Sequence, residues 1–74
     1  MTRPIKRSLT LNGHRTSVSL EAEFWEAFRE IAERRGATFN ALAAEIDEGR
    51  DMQIGLATAI RLFVLADLRQ VAGR

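Results

Sequence analysis

Arg15-Thr-Ser-Val-Ser-Leu20 runs straight into Glu21-Ala-Glu-Phe-Trp-Glu-Ala-Phe-Arg-Glu-Ile-Ala-Glu-Arg-Arg-Gly36. At this junction the apolar spacing changes from the alternation of a strand to the period of a helix, with no loop between. A lone short strand leaves its backbone donors and acceptors without partners. Its mate must be a second copy of the chain or the segment just upstream, and self-pairing is the first expectation. The chain has 74 residues and a mass of 8.3 kDa. That is one domain, at a size where a single core is marginal and oligomerisation a common remedy.

Working outward from the junction, helical periodicity over 21–35 places Phe24, Trp25, Phe28, Ile31 and Ala32 on one face. Glu21 and Glu23 open this helix and Arg34 and Arg35 close it, complementing the backbone dipole, and Gly36 is a natural left-handed stop. A second helix is expected over 38–48, capped by Thr38 and burying Phe39, Leu42, Ala43 and Ile46. After a turn at Glu48-Gly-Arg-Asp51, a third is expected over 53–71. Its middle, Leu62-Phe-Val-Leu-Ala66, is apolar almost all round, which calls for cover on more than one side and most simply for a second subunit.

Upstream, residues 1–7 read as a basic arm and 8–20 as a β-ribbon. Leu9 and Leu11 are odd-numbered while Val18 and Leu20 are even-numbered, so a single straight strand would send the two pairs to opposite faces. A two-residue loop at Asn12-Gly13 resolves this by pairing Leu11 with His14, Leu9 with Thr16 and Arg7 with Val18. The four aliphatic residues then share one face, and Lys6, Ser8, Thr10, Arg15, Ser17 and Ser19 occupy the other. A mobile arm that happens to contain Asn-Gly is the competing reading.

The formal charge of +1 conceals a strong asymmetry. Residues 1–20 hold Arg3, Lys6, Arg7 and Arg15 and no acid, giving +4; residues 21–51 set nine acids against four arginines, giving −5; residues 52–74 carry +2. A basic leader ahead of an acidic helix suits an N-terminal segment that meets phosphates. The chain has no cysteine, so neither a disulfide framework nor a thiolate metal site is expected, which suits a reducing cytoplasm. No signal peptide or membrane span is expected.

The run from Arg15 to Trp25, the Gly36-Ala-Thr-Phe-Asn40 corner and the following amphipathic helix together resemble the ribbon-helix-helix DNA-binding proteins of bacteria. More narrowly, they resemble a compact subgroup with a basic Lys6-Arg7-Ser8-Leu9 leader and an Arg61-Leu-Phe-Val-Leu65 helix, over about residues 5–68. The resemblance implies a mainly α fold with a short N-terminal β-ribbon, a homodimer, and a third C-terminal helix. Two ribbons would pair antiparallel across the dimer axis and enter the major groove of double-stranded DNA.

By position, the resemblance places Arg15, Ser17 and Ser19 at the bases and Arg3, Lys6, Arg7, Thr38 and Asn40 at phosphates. Val18, Leu20, Trp25, Phe28, Phe39, Leu42, Ile46 and Phe63 would form the dimer core. An anion site at the start of the second helix also has independent physical support in the helix dipole and free N–H groups. Only Arg15 has the bidentate geometry for guanine, while serine discriminates weakly, so specificity would lean on few contacts, on DNA shape or on further assembly along DNA.

Each of these residues also has a plainer reading. Arg15 can be an ordinary exposed strand charge, Thr38 a cap alone, and Trp25 with Phe24 and Phe28 core rather than a stacking platform. His14, the single histidine, is expected beside the turn rather than on a metal. Glu45, Asp47, Glu48 and Asp51 lack the spacing of a calcium loop and read as a solvated helix end. No nucleophile–base pair or phosphate loop can be assembled, so neither an enzyme nor a cofactor is expected. The sequence therefore points to a homodimeric transcriptional repressor. A ribbon-helix-helix dimer that serves as a protein-interaction module without base readout is the alternative.

Overall fold

In the computed structural model, which describes residues 3–73, strand β1 (Pro4–Leu11) and strand β2 (His14–Glu21) form a two-stranded antiparallel sheet. Helices α1 (Ala22–Arg35), α2 (Phe39–Gly49) and α3 (Leu56–Ala72) follow. The register pairs Leu11 with His14, Leu9 with Thr16 and Arg7 with Val18. Asn12 (φ 51°) and Gly13 (φ 85°) both adopt the left-handed conformation, which a two-residue hairpin turn requires and Asn-Gly supplies at least cost. The mate of β2 is thus the upstream segment of its own chain. A short loop closes at far smaller entropic cost than the association of two molecules.

Two element boundaries differ from the sequence reading by more than one residue. Residues 4–7, expected as arm, continue β1, and residues 1 and 2 of that arm lie outside the described residues. Ile5 pairs with Leu20, and its carbonyl accepts the Trp25 indole N–H at 2.8 Å, which holds the strand's beginning against α1. Helix α3 starts at Leu56 rather than residue 53. Asp51 turns the chain here: its carboxylate accepts the Gln53 N–H at 2.8 Å and its carbonyl the Ile54 N–H at 3.1 Å.

Glu21 is at once the last residue of β2 and the N-cap of α1, so no residue intervenes between sheet and helix. The helix ends at Gly36 (φ 68°), whose N–H bonds to Glu33 while the Ala37 N–H reaches back to the Ala32 carbonyl at 2.8 Å. That paired closure satisfies carbonyls which a helix otherwise leaves open.

The core lies between the inner sheet face and the three helices. Leu9, Leu11, Val18 and Leu20 come from the sheet, Trp25, Phe28, Ile31 and Ala32 from α1, Leu42 and Ala43 from α2, and Ile60 and Val64 from α3. Phe28 is wholly buried and stacks on Phe39 with ring centroids 5.6 Å apart, while Trp25 meets both rings edge-on. Of the residues expected in a dimer core, Val18, Leu20, Trp25, Phe28 and Leu42 are buried within this one chain, and Phe39, Ile46 and Phe63 are half-buried. The cover expected for α3 is incomplete. Val64 is buried, but Leu62, Leu65, Leu68 and Val71 are about half exposed.

Candidate nucleic-acid interface

Because alternate residues of a strand point to opposite faces, burying the four aliphatic side chains forces Lys6, Ser8, Thr10, Arg15, Ser17 and Ser19 outward, and all six are exposed. They sit in three cross-strand pairs, Lys6 with Ser19, Ser8 with Ser17 and Thr10 with Arg15. The surface is hydroxyl-lined and basic over these six residues, and Glu21, the one acid of the same parity, stands at the far end of β2. Arg7 belongs to the opposite parity, and its guanidinium lies 5.5 Å from the Trp25 ring centroid, a cation–π contact. Arg3 is exposed just ahead of β1, and His14 is exposed beside the turn.

The first turn of α2 is fixed to the edge of this ribbon. The Thr38 hydroxyl accepts the Ala41 N–H at 3.0 Å and so caps the helix. Asn40 Oδ1 accepts the Thr10 N–H at 3.0 Å. Thr10 is in the kind of cross-strand pair whose N–H points away from the partner strand, and Asn40 takes up that donor. Thr38 and Asn40 are therefore brought to the ribbon's margin, with the positive end of the α2 dipole beside them.

On the other edge, Arg61 does related work that sequence reading did not assign to it. Its Nε donates to Glu21 Oε1 at 3.0 Å and its Nη2 to Glu21 Oε2 at 3.2 Å and to the Ser19 carbonyl at 3.4 Å, with Phe24 beneath the guanidinium. The hydrogen bonds from Arg61, then a backbone hydrogen bond, hold the Glu21 carboxyl below its ordinary range, against a smaller upward pull from desolvation. The signal in the sequence was a single charge inside an otherwise apolar stretch of helix.

The acids considered for a cation site are dispersed into separate contacts. Asp47 pairs with Arg50 at 2.7 Å, Glu45 lies 3.8 Å from Arg35, and Glu48 accepts from the Asn12 side chain at 3.1 Å. No group of three or more potential metal ligands occurs among the described residues. Nor is any helix there long and apolar enough to cross a membrane.

Residues 4–68 match the family model of the ribbon-helix-helix domain. No curated protein and no solved structure gives a significant match. The matched span takes in both strands, the first two helices and most of the third. With a two-stranded ribbon leading into helices and a match over most of its length, the chain belongs to the ribbon-helix-helix family, whose members in general bind DNA, regulate transcription and form dimers.

Proposed function

We propose that this protein is a sequence-specific regulator of transcription, a repressor, that lays the outer face of its ribbon in the major groove of duplex DNA. The observation that carries this reading is the division of one small sheet into a face whose Leu9, Leu11, Val18 and Leu20 are buried in the core and a face whose Lys6, Ser8, Thr10, Arg15, Ser17 and Ser19 are all exposed. Arg15, Ser17 and Ser19 meet base edges, joined by Ser8 and Thr10 from the other strand, and Arg15 is the side chain able to bind guanine in two places. Lys6, Arg3 and the Thr38–Asn40 turn meet phosphates. Arg7 flanks them from beside Trp25.

The protein acts as a homodimer in the cytoplasm. Self-association is supported by Leu62, Leu65, Leu68 and Val71 on α3, apolar side chains that the described chain leaves about half exposed. Repression needs only occupancy of the DNA, which such a surface provides without catalysis.

Retention of a mixed-sequence duplex, followed from about 50 mM salt upward, tests the proposal. Each neutralised phosphate releases counterions, so log affinity falls linearly with log salt. The reading fails if the folded protein retains no duplex at about 50 mM salt and Arg15→Ala changes nothing. The same half-exposed α3 side chains favour a second reading, a module that binds another protein, and that outcome would leave it standing.

A further inference from the structure

For a surface that meets phosphates, the outer parity of the ribbon carries one charge of the wrong sign. Glu21 continues the series Arg15, Ser17, Ser19 at the end of β2, opposite Pro4. Strand geometry puts it about 7 Å beyond Ser19, inside the Debye length of about 10 Å at 0.1 M salt. A bare carboxylate there would repel any phosphate met at Ser19 or at its cross-strand neighbour Lys6. It would also lie diagonal to Lys6, roughly 7–8 Å across the sheet and within reach of a long side chain, and would draw that exposed lysine off the phosphate.

An acid at this position nonetheless suits the helix that follows. Glu21 opens α1, where negative charge complements the backbone dipole. Yet its carboxylate accepts no capping hydrogen bond from the first turn, the usual service of an N-cap acid. It is turned instead to Arg61 on α3, 40 residues away in sequence.

Arg61 is the one charge between Leu56 and Ala66, and its neighbours Ile60 and Val64 are buried. Its guanidinium takes both carboxylate oxygens, Nε at 3.0 Å and Nη2 at 3.2 Å, and lies 5.8 Å from the Phe24 ring centroid. The two side chains are 33% and 29% exposed, so the pair is partly shielded from water and screened less than an open surface pair. The Glu21 carboxyl is held below its ordinary value of 4.5, first by the hydrogen bonds from Arg61, and is therefore ionised at neutral pH. There is a charge to cancel, and Arg61 is placed to cancel it.

We infer that Arg61 is a positioning residue for DNA recognition. It acts through Glu21, neutralising the single adverse charge of the ribbon's outer face and leaving Lys6 to phosphate, and it does not itself touch the duplex. This rests on the DNA-binding reading above. Helix α3 thereby takes part in binding from behind the sheet, by setting the charge at the end of the strand that carries Arg15, Ser17 and Ser19.

The test is a mutant cycle in the full chain, read as affinity for a mixed-sequence duplex at about 10 mM salt, where screening is weak, with circular dichroism to verify folding. Arg61→Ala weakens binding about threefold per subunit, the Coulomb cost of one bare charge about 7 Å from one phosphate in water. Glu21→Gln alone tightens binding by about the same factor, and Arg61→Ala with Glu21→Gln returns to within about twofold of the wild type. A mere tether between α3 and the ribbon, or a direct contact of Arg61 with phosphate, would leave the double variant as weak as Arg61→Ala. Should Arg61→Ala not fold, Arg61→Gln, which keeps part of the stem over Phe24, takes its place in the same cycle. A double variant that stays weak, or a Glu21→Gln protein no tighter than the wild type, overturns the role of Arg61 and leaves DNA binding intact. A folded wild-type protein that retains no duplex at this salt overturns the DNA-binding reading, and this inference with it.

Discussion

The Asn40 carboxamide oxygen and the Thr10 backbone N–H, thirty residues apart in sequence, are hydrogen-bonded at 3.0 Å, which ties the first turn of α2 to the rim of the ribbon. Asn40→Ala removes this tie but leaves the Thr38 cap. Because the site is exposed, water replaces the lost acceptor, and the expected cost is about 0.5–1.5 kcal/mol of stability by urea denaturation. Duplex affinity should fall as well, since ribbon and helix no longer present their cations and N–H groups at a fixed spacing. A variant with full affinity would separate the tie from binding.

The Arg61–Glu21 contact gives stability a definite pH dependence. The Glu21 carboxyl is held below its ordinary value of 4.5, so the folded state binds fewer protons there than the unfolded state. The stabilisation is present above the ordinary value and is lost as pH falls below it, through the lowered folded-state value. Melting temperature measured from neutral pH downward should therefore drop more steeply for the wild type than for Glu21→Gln. Equal slopes would mean that the contact contributes nothing at equilibrium.

At the hairpin turn, Gly13 has φ 85° and open space around an added β-carbon. Gly13→Ala therefore costs conformation without collision, about 1–2 kcal/mol for a left-handed non-glycine residue. For a domain of this size each kcal/mol lowers the melting temperature by about 4–8 °C. A calorimetric scan showing no loss would indicate that the turn relaxes to another type.

Phe28 is fully buried between the sheet and α2. Phe28→Ala should cost about 3–5 kcal/mol, comparable with all the stability a domain this small commands. The expected outcome is loss of the cooperative thermal transition in circular dichroism at any pH.

How much of this was legible beforehand depended on how local each signal was. Asn12-Gly13 and the opposite parities of Leu9 and Val18 specify the turn, the register and the composition of the outer face using neighbours alone. Thr38 and Gly36 mark helix ends by equally short-range chemistry. The contacts that fix the ribbon's edges were not legible, because Arg61 meets Glu21 across 40 residues and Asn40 meets Thr10 across 30. Nothing in the spacing of a lone arginine or asparagine names a partner so far away. The early start of β1 was hidden for a similar reason: Pro4–Arg7 has little alternation of its own and is held through Ile5 and Trp25.

The dual position of Glu21 as strand end and helix cap also bears on mechanics. With no connector at that point, α1 cannot swing relative to β2 without breaking strand pairing or its own first turn. Ribbon and first helix then meet a surface as one rigid piece, so the bending needed for a close fit at the ribbon falls on the duplex, and sequences that flex easily will be favoured even where no side chain touches them.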